Sequence, residues 1–301
     1  MTKQGPTRFQ AFLAVSRAPF LVLALVPSVV VLPVALAQTD TTHWLYFSLA
    51  SILAVLAHIA VNALNEYEDL RSGLDFLTEK SPFNGGSGFL PKHTEYASVA
   101  LAIALISASL VLAGGIWLAI KASVWLMVLG IAGLVLIAFY TSVITQHPLA
   151  CLLAPGLAFG PIMVVGIAVS AGLPMSAYLF LQSALLCGLV SALLLINQIP
   201  DHQADETVGR NHLVISMGVH YACIVYDGLM ISVAMIIVFG VVTNIVSDFA
   251  LVALLPFLWN LPSPQTLTES LEEGRFTRYQ ARHVLRTLLT PSLIAIVQVV
   301  A

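Results

Sequence analysis

The stretch Asn62-Ala63-Leu64-Asn65-Glu66-Tyr67-Glu68-Asp69-Leu70-Arg71-Ser72-Gly73-Leu74-Asp75 closes the second long apolar run of the chain. A second stretch, Asn197-Gln198-Ile199-Pro200-Asp201-His202-Gln203-Ala204-Asp205, closes the sixth. The chain has only 15 carboxylates in 301 residues; six of them lie in these two stretches, and Glu206 follows at once. Both stretches carry Asn-x-x-x-Asp, as Asn65 to Asp69 and as Asn197 to Asp201, and Asp205 stands four residues further on. On a helix, a spacing of four stacks side chains on one face, about 6 Å apart along the axis. Two such faces turned toward each other make an oxygen-rich, negatively charged cage. The plainer alternative is two polar helix ends at a membrane surface.

The rest of the composition describes a membrane protein. The chain is 59% hydrophobic and 9% charged, with a mean hydropathy of +0.95; soluble domains carry about 25% charged residues. Apolar runs long enough to span a bilayer recur along the whole length. They predict an all-α, polytopic membrane bundle of nine transmembrane helices, over residues 10–37, 44–66, 95–118, 122–144, 148–171, 176–199, 214–243, 247–261 and 282–300. One integral-membrane domain then fills residues 1–301. Polar connections fall at 67–94, 200–213 and 262–281. The first run, broken by Pro19, Pro27 and Pro33, does not read as a cleavable signal. Cys151, Cys187 and Cys223 lie inside apolar runs and read as packed thiols. No basic cluster points to nucleic acid.

Charge sets the expected orientation. With nine spans, eleven of the 12 Lys and Arg residues fall on the side that holds the N-terminus, and Lys121 alone falls on the other. By the positive-inside rule the N-terminus is cytoplasmic, and both acidic stretches lie at the cytoplasmic ends of their helices. The expected location is the cell (inner) membrane, in contact with membrane lipid.

The cage suits hard divalent cations, Mg²⁺ above all, carrying a phosphate ligand. A long isoprenoid diphosphate has the matching shape: an anionic head between the clusters and a tail in the apolar bundle. Metal at the head makes diphosphate a better leaving group, and a dry cavity protects the allylic cation that remains. The metal set expected from the two stretches is Asn65, Glu66, Asp69, Asp75, Asn197, Asp201 and Asp205, with Asn65, Asp69, Asn197 and Asp201 as the catalytic core. Arg17, inside the first run, is costly in a membrane and reads as a diphosphate contact. Lys80 follows Asp75 by five residues and Arg210 follows Asp205 by five, and both are placed to help. Ser87 belongs to a glycine-rich run, 81–88, whose amides are able to cradle phosphate. Asn62 and His58 share the helical face that leads to the first cluster, where His58 reads either as an orienting group or as a packed histidine. Tyr140 faces the cation or anchors the membrane interface. Asp227 is a general base or a buried structural partner.

These residues resemble the UbiA superfamily of intramembrane prenyltransferases. The resemblance covers nearly the whole chain: the span number, both aspartate-rich motifs and their placement on spans 2 and 6. It implies a nine-helix bundle that binds a Mg²⁺-prenyl diphosphate. Asn65, Glu66, Asp69 and Asp75 are similar to its first motif; Asn197, Asp201 and Asp205, followed by Gly209-Arg210-Asn211-His212-Leu213, are similar to its second. The step from Asp69 to Asp75 resembles the 1,4-dihydroxy-2-naphthoate prenyltransferase branch, as do Arg17-Ala18-Pro19 and Phe159-Gly160-Pro161. Glu66 stands where that pattern has Asp, Pro200 where it has Arg, and the Arg-Pro after the first motif and the Gly-Leu-Gly-Glu before Phe159 are absent. The resemblance implies transfer of a prenyl group from an allylic diphosphate to an aromatic acceptor, a quinone precursor. The alternative within the superfamily is a terpene cyclase, which needs no acceptor. A transporter is the reading from another class, and the crowding of carboxylates at helix ends argues against it.

Overall fold

The computed structural model describes residues 5–38, 41, 43–83, 86–259 and 276–300, and the elements built from them are helical. A short helix, α1 (Arg8–Val15), opens the chain on a Thr7 capping box. It stops at Arg17, whose backbone is left-handed (φ 50°, ψ 53°), and a 3₁₀ segment, Ala18–Leu25, leads into α2 (Val26–Leu36). The single expected span over 10–37 is therefore broken, and the break sets Arg17 on a corner. Pro19 contributes, because without an amide hydrogen it cannot bond back to the Val15 carbonyl and continue α1.

α3 (His43–Ser72), α4 (Ala97–Lys121), α5 (Leu126–Phe139) and α6 (Pro148–Leu157) follow. A π-helical turn, Ala158–Val164, joins α6 to α7 (Val165–Ser170). Then come α8 (Ala177–Thr207), α9 (Leu213–Val242), a 3₁₀ segment Asp248–Leu258, and α10 (Phe276–Val300). Seven helical stretches are long and apolar enough to cross a bilayer, and two shorter apolar ones, Leu126–Phe139 and Asp248–Leu258, fall where the fourth and eighth spans were expected. The end of the eighth span and most of the connection at 262–281 lie outside the described residues. Those that are described, 276–281, belong to α10, which starts six residues before the expected 282.

α8 is the axis of the bundle. Leu185, Leu186, Leu189, Leu195 and Ile196 on it are wholly buried. α9 lies along one side of α8 and α6 along another, while α3 packs along α4. Glycine lets α6 and the π-helical turn approach α8: a Cβ on Gly156 would sit 2.4 Å from the Cys187 carbonyl, and one on Gly160 would sit 2.3 Å from the Ser183 carbonyl. Small residues let backbones close like this where no water drives helices together. The outer surface is greasy, with Ile116, Ile120, Trp125, Phe239, Phe249 and Leu258 exposed. Such a continuous apolar surface on a helical bundle faces lipid.

Candidate active site

α3 does not stop where its apolar run stops. It continues through Asn65, Glu66 and Asp69 to Ser72, and Gly73 ends it with φ 81°. α8 likewise runs past Pro200 to Thr207. Both motifs therefore ride on ordered helix, and Asn-x-x-x-Asp does place its residues on one face. The two faces meet at the mouth of a cavity of about 400 Å³. Arg17, Asn62, Asn65, Asp69, Asp75, Tyr140, Asn197, Asp201, Asp205 and Arg210 all line it, with His58 deeper. Its interior is apolar, walled by residues such as Leu53, Leu129, Ile137, Phe159, Ile162 and Leu194.

The mouth is a charge network. Arg210 cross-links the two motifs: Nη1 donates to Asp205 Oδ1 at 2.8 Å, and Nη2 donates to Asp69 Oδ1. Burial works against the Arg210 charge, and Asp69 and Asp205 more than offset it, so its pKa lies above the usual arginine value. Gly209, with φ 83°, turns the chain back after α8 and brings Arg210 and His212 onto Asp205. His212 Nε2 lies 2.9 Å from Asp205 Oδ2. On the α3 side, Arg17 donates from Nε to Glu66 Oε1 at 2.8 Å and from Nη2 to Asn65 Oδ1 at 3.1 Å. Asn65 Nδ2 in turn donates to Thr141 Oγ1 at 3.1 Å. Asn62 Nδ2 donates to the Ser16 carbonyl at 3.0 Å, which ties α3 to the Arg17 corner. Gln280 of α10 donates to Asn197 Oδ1 at 3.1 Å.

Glu66, Lys80 and Ser87 stand behind this surface rather than on it. Glu66 is fully buried and also accepts from the Ser87 amide at 2.7 Å and the Ser87 hydroxyl at 2.5 Å. It is thus the peg that fastens the 86–88 segment to α3 and Arg17. Gly86, at φ 69°, is the close approach this needs, since a Cβ there would sit 2.9 Å from Asp75 Oδ1. Asn84 and Gly85 of the glycine-rich run lie outside the described residues. Lys80 Nζ donates to Asp75 Oδ1 at 2.8 Å. Burial pushes the Asp75 carboxyl above the usual carboxylate range, against the pull of Lys80.

Four acids (Asp69, Asp75, Asp201 and Asp205) against two cations (Arg17 and Arg210) leave the mouth formally negative. Among the described residues, no three His, Cys, Asp or Glu side chains converge closely enough to hold an ion by themselves. The donor set still fits a hard cation that brings its own phosphate oxygens, because Mg²⁺ is commonly held by one or two carboxylates plus phosphate. Asp75 Oδ2, buried and without a hydrogen-bond partner, is a ready oxygen for it.

Sequence reasoning placed His212 in the second motif without giving it a role, and it missed Thr141, Gln280 and the cavity-lining Gln198, for which no spacing gave a signal. Asp227 does not line this cavity, and its Oδ1 is buried without a partner. Its neighbour Tyr226 instead joins His283 and Arg286, which is buried and caps the Pro256 carbonyl at 2.9 Å. Arg286 is therefore an interior strut.

A bundle of apolar helices, with carboxylates and guanidinium groups at the mouth of a long apolar pocket, defines a membrane enzyme for a substrate with a charged head and a greasy tail. The profile of the UbiA prenyltransferase family matches residues 24–264, and the chain belongs to that family. It is a prenyltransferase. A relative of curated function is the 1,4-dihydroxy-2-naphthoate octaprenyltransferase of Bacillus subtilis (strain 168), 29% identical over 241 residues, which are 77% of this chain and 74% of that protein. Among solved structures, the apo UbiA homolog from Aeropyrum pernix K1 superposes with a TM-score of 0.65 at 16% identity, covering 92% of this chain and 98% of that one. The UbiA homolog from Archaeoglobus fulgidus bound to DMAPP and Mg²⁺ gives 0.61 at 12% identity, covering 95% and 99%. At these identities the structures establish the shared fold.

Proposed function

We propose that the protein transfers a prenyl group from an allylic isoprenoid diphosphate to an aromatic quinone precursor, in a Mg²⁺-dependent reaction. The observation that carries this is the convergence of the α3 and α8 motifs at the mouth of a single apolar cavity. Asp69, Asp75, Asp201 and Asp205, with Asn65 and Asn197, hold the metal and the diphosphate. When bound, Mg²⁺ supplies Lewis-acid charge that stabilises departing diphosphate. Arg17 and Arg210 supply the remaining positive charge around the phosphates, and Lys80 and Ser87 hold the surrounding wall in place. The apolar interior keeps water from the allylic cation, and Phe159, His58 and Tyr140 are among the aromatic side chains that line it. The aromatic acceptor is supported by the named activity of the Bacillus subtilis relative. Nine crossings, an N-terminus in the cytoplasm and a mouth opening to that side of the inner membrane complete the reading.

The test uses purified protein in nanodiscs with Mg²⁺ and prenyl diphosphates of several lengths, each with and without a panel of aromatic acids. Release of diphosphate with a prenylated aromatic product, only when one acid is present, is the expected result. A hydrocarbon or terpene alcohol formed without acceptor identifies a cyclase instead.

A further inference from the structure

The far end of the cavity carries a feature that chemistry at the head does not use. Depth can be read from contacts. The Asn65–Thr141 hydrogen bond sets Thr141 level with Asn65. From there Leu53 lies about 18 Å along α3, and Gly130 about 16 Å along α5, at 1.5 Å per residue. A Cβ on Gly114 would meet Leu53 at 2.7 Å, so Gly115 stands at that same depth on α4. A Cβ on Gly133 would meet Ile162 at 3.7 Å, and one turn further from the mouth on each helix stand Gly130 and Gly166. Gly115, Gly130 and Gly166 thus form one tier on three helices. All three line the cavity, and a Cβ on any of them would enter open space. Gly156, Gly160 and Gly240 differ, because each has a neighbour within 2.4 Å and is needed for packing. A helical glycine with no packing reason costs about 1 kcal/mol against alanine. The cavity also continues one turn past the tier, to Ala50, Leu118, Leu126 and Ser170.

We infer that the tier of Gly115, Gly130 and Gly166 is the passage for the substrate's tail and admits isoprenoid chains longer than about four units. This rests on the prenyltransferase reading above and names its donor class. An extended isoprene unit is about 5 Å long, four bonds near 1.5 Å foreshortened by tetrahedral angles. A two-unit chain ends short of the tier, a four-unit chain reaches it, and longer chains cross it. A side chain at the tier narrows the passage without touching the mouth, so it penalises long donors and spares short ones.

The experiment compares the full chain with Gly130→Leu and Gly166→Leu in nanodiscs with Mg²⁺. Equilibrium binding and diphosphate release are measured for geranyl diphosphate and for all-trans octaprenyl diphosphate. Both variants enter open space and gain helix propensity, so melting temperatures at or above that of the parent are expected. Geranyl diphosphate should bind within about twofold of the parent, and octaprenyl diphosphate at least about tenfold more weakly, as overpacking by a few methylenes implies. Gly228→Leu, also open but outside the cavity, should leave both unchanged. Unchanged octaprenyl binding in the tier variants, or an equal loss for both lengths, overturns the inference. Length-dependent binding without prenyl transfer to any acceptor sinks the transferase reading and leaves the tier standing.

Discussion

Arg210 stands where two carboxylates would otherwise face each other. Its guanidinium joins Asp69 and Asp205, both nearly buried, and so holds α3 and α8 together at the mouth. Removing it leaves buried negative charge uncompensated, which costs about 3 kcal/mol. Arg210→Ala should therefore melt well below the parent in detergent, and millimolar Mg²⁺ should recover more of that loss in the variant than it adds to the parent. Equal Mg²⁺ effects on both would show that the carboxylates are not the metal's partners. Asp69→Ala and Asp201→Ala make the complementary case. Each removes an oxygen donor at the cavity wall and should abolish turnover, while the protein still inserts and elutes as a folded species. Near-normal rates in both would sink the two-motif site. His58 lines the cavity and packs edge-to-face against Phe159. His58→Ala should be milder, and a complete loss would move it into the catalytic set.

At the scale of elements, apolar runs gave the helices their middles but not their ends. Hydropathy falls at Asn65, yet Glu66, Glu68, Leu70 and Arg71 are good helix formers, and the helix stops only at Gly73, which takes a left-handed backbone. That continuation is what makes the spacing of Asn65 and Asp69 meaningful, and hydropathy alone does not show it. The break at Arg17 was hidden for the opposite reason, because hydropathy stays high through a change of helix type. Asp69, Asp201 and Asp205 stood out because carboxylates are rare in this chain, and Asn65 because it stands four residues before Asp69. Glu66 was legible as part of the motif, but its bonds to Arg17 and Ser87 are tertiary and carry no spacing. The contact of the π-helical turn with α8 gives a sharp test. A methyl on Gly160 has a backbone carbonyl 2.3 Å away and nowhere to go. Gly160→Ala should cost at least about 2 kcal/mol in thermal melts, whereas Gly228→Ala, with open space around it, should not destabilise.

At the scale of the molecule, the proposed sidedness makes a prediction that rests on charge asymmetry and one helix. Lys92 and Lys121 are both exposed, and the stretch Thr94–Lys121 between them is 28 residues of apolar helix. That is about 42 Å at 1.5 Å per residue, more than the hydrocarbon core of a bilayer. If that stretch crosses as proposed, the two lysines lie on opposite sides, and the positive-inside rule predicts that Lys92, which shares its side with the other cations, is cytoplasmic. The native thiols Cys151 and Cys223 are buried and Cys187 is half-buried within α8, so they contribute little background to labelling from water. Lys121→Cys should react with a membrane-impermeant maleimide in intact cells, and Lys92→Cys only after permeabilisation. The reverse pattern would invert the molecule and put the diphosphate mouth on the outer face, away from cytoplasmic donors. Labelling of both from one side would mean that Thr94–Lys121 does not cross, and the nine-crossing arrangement would fail with it.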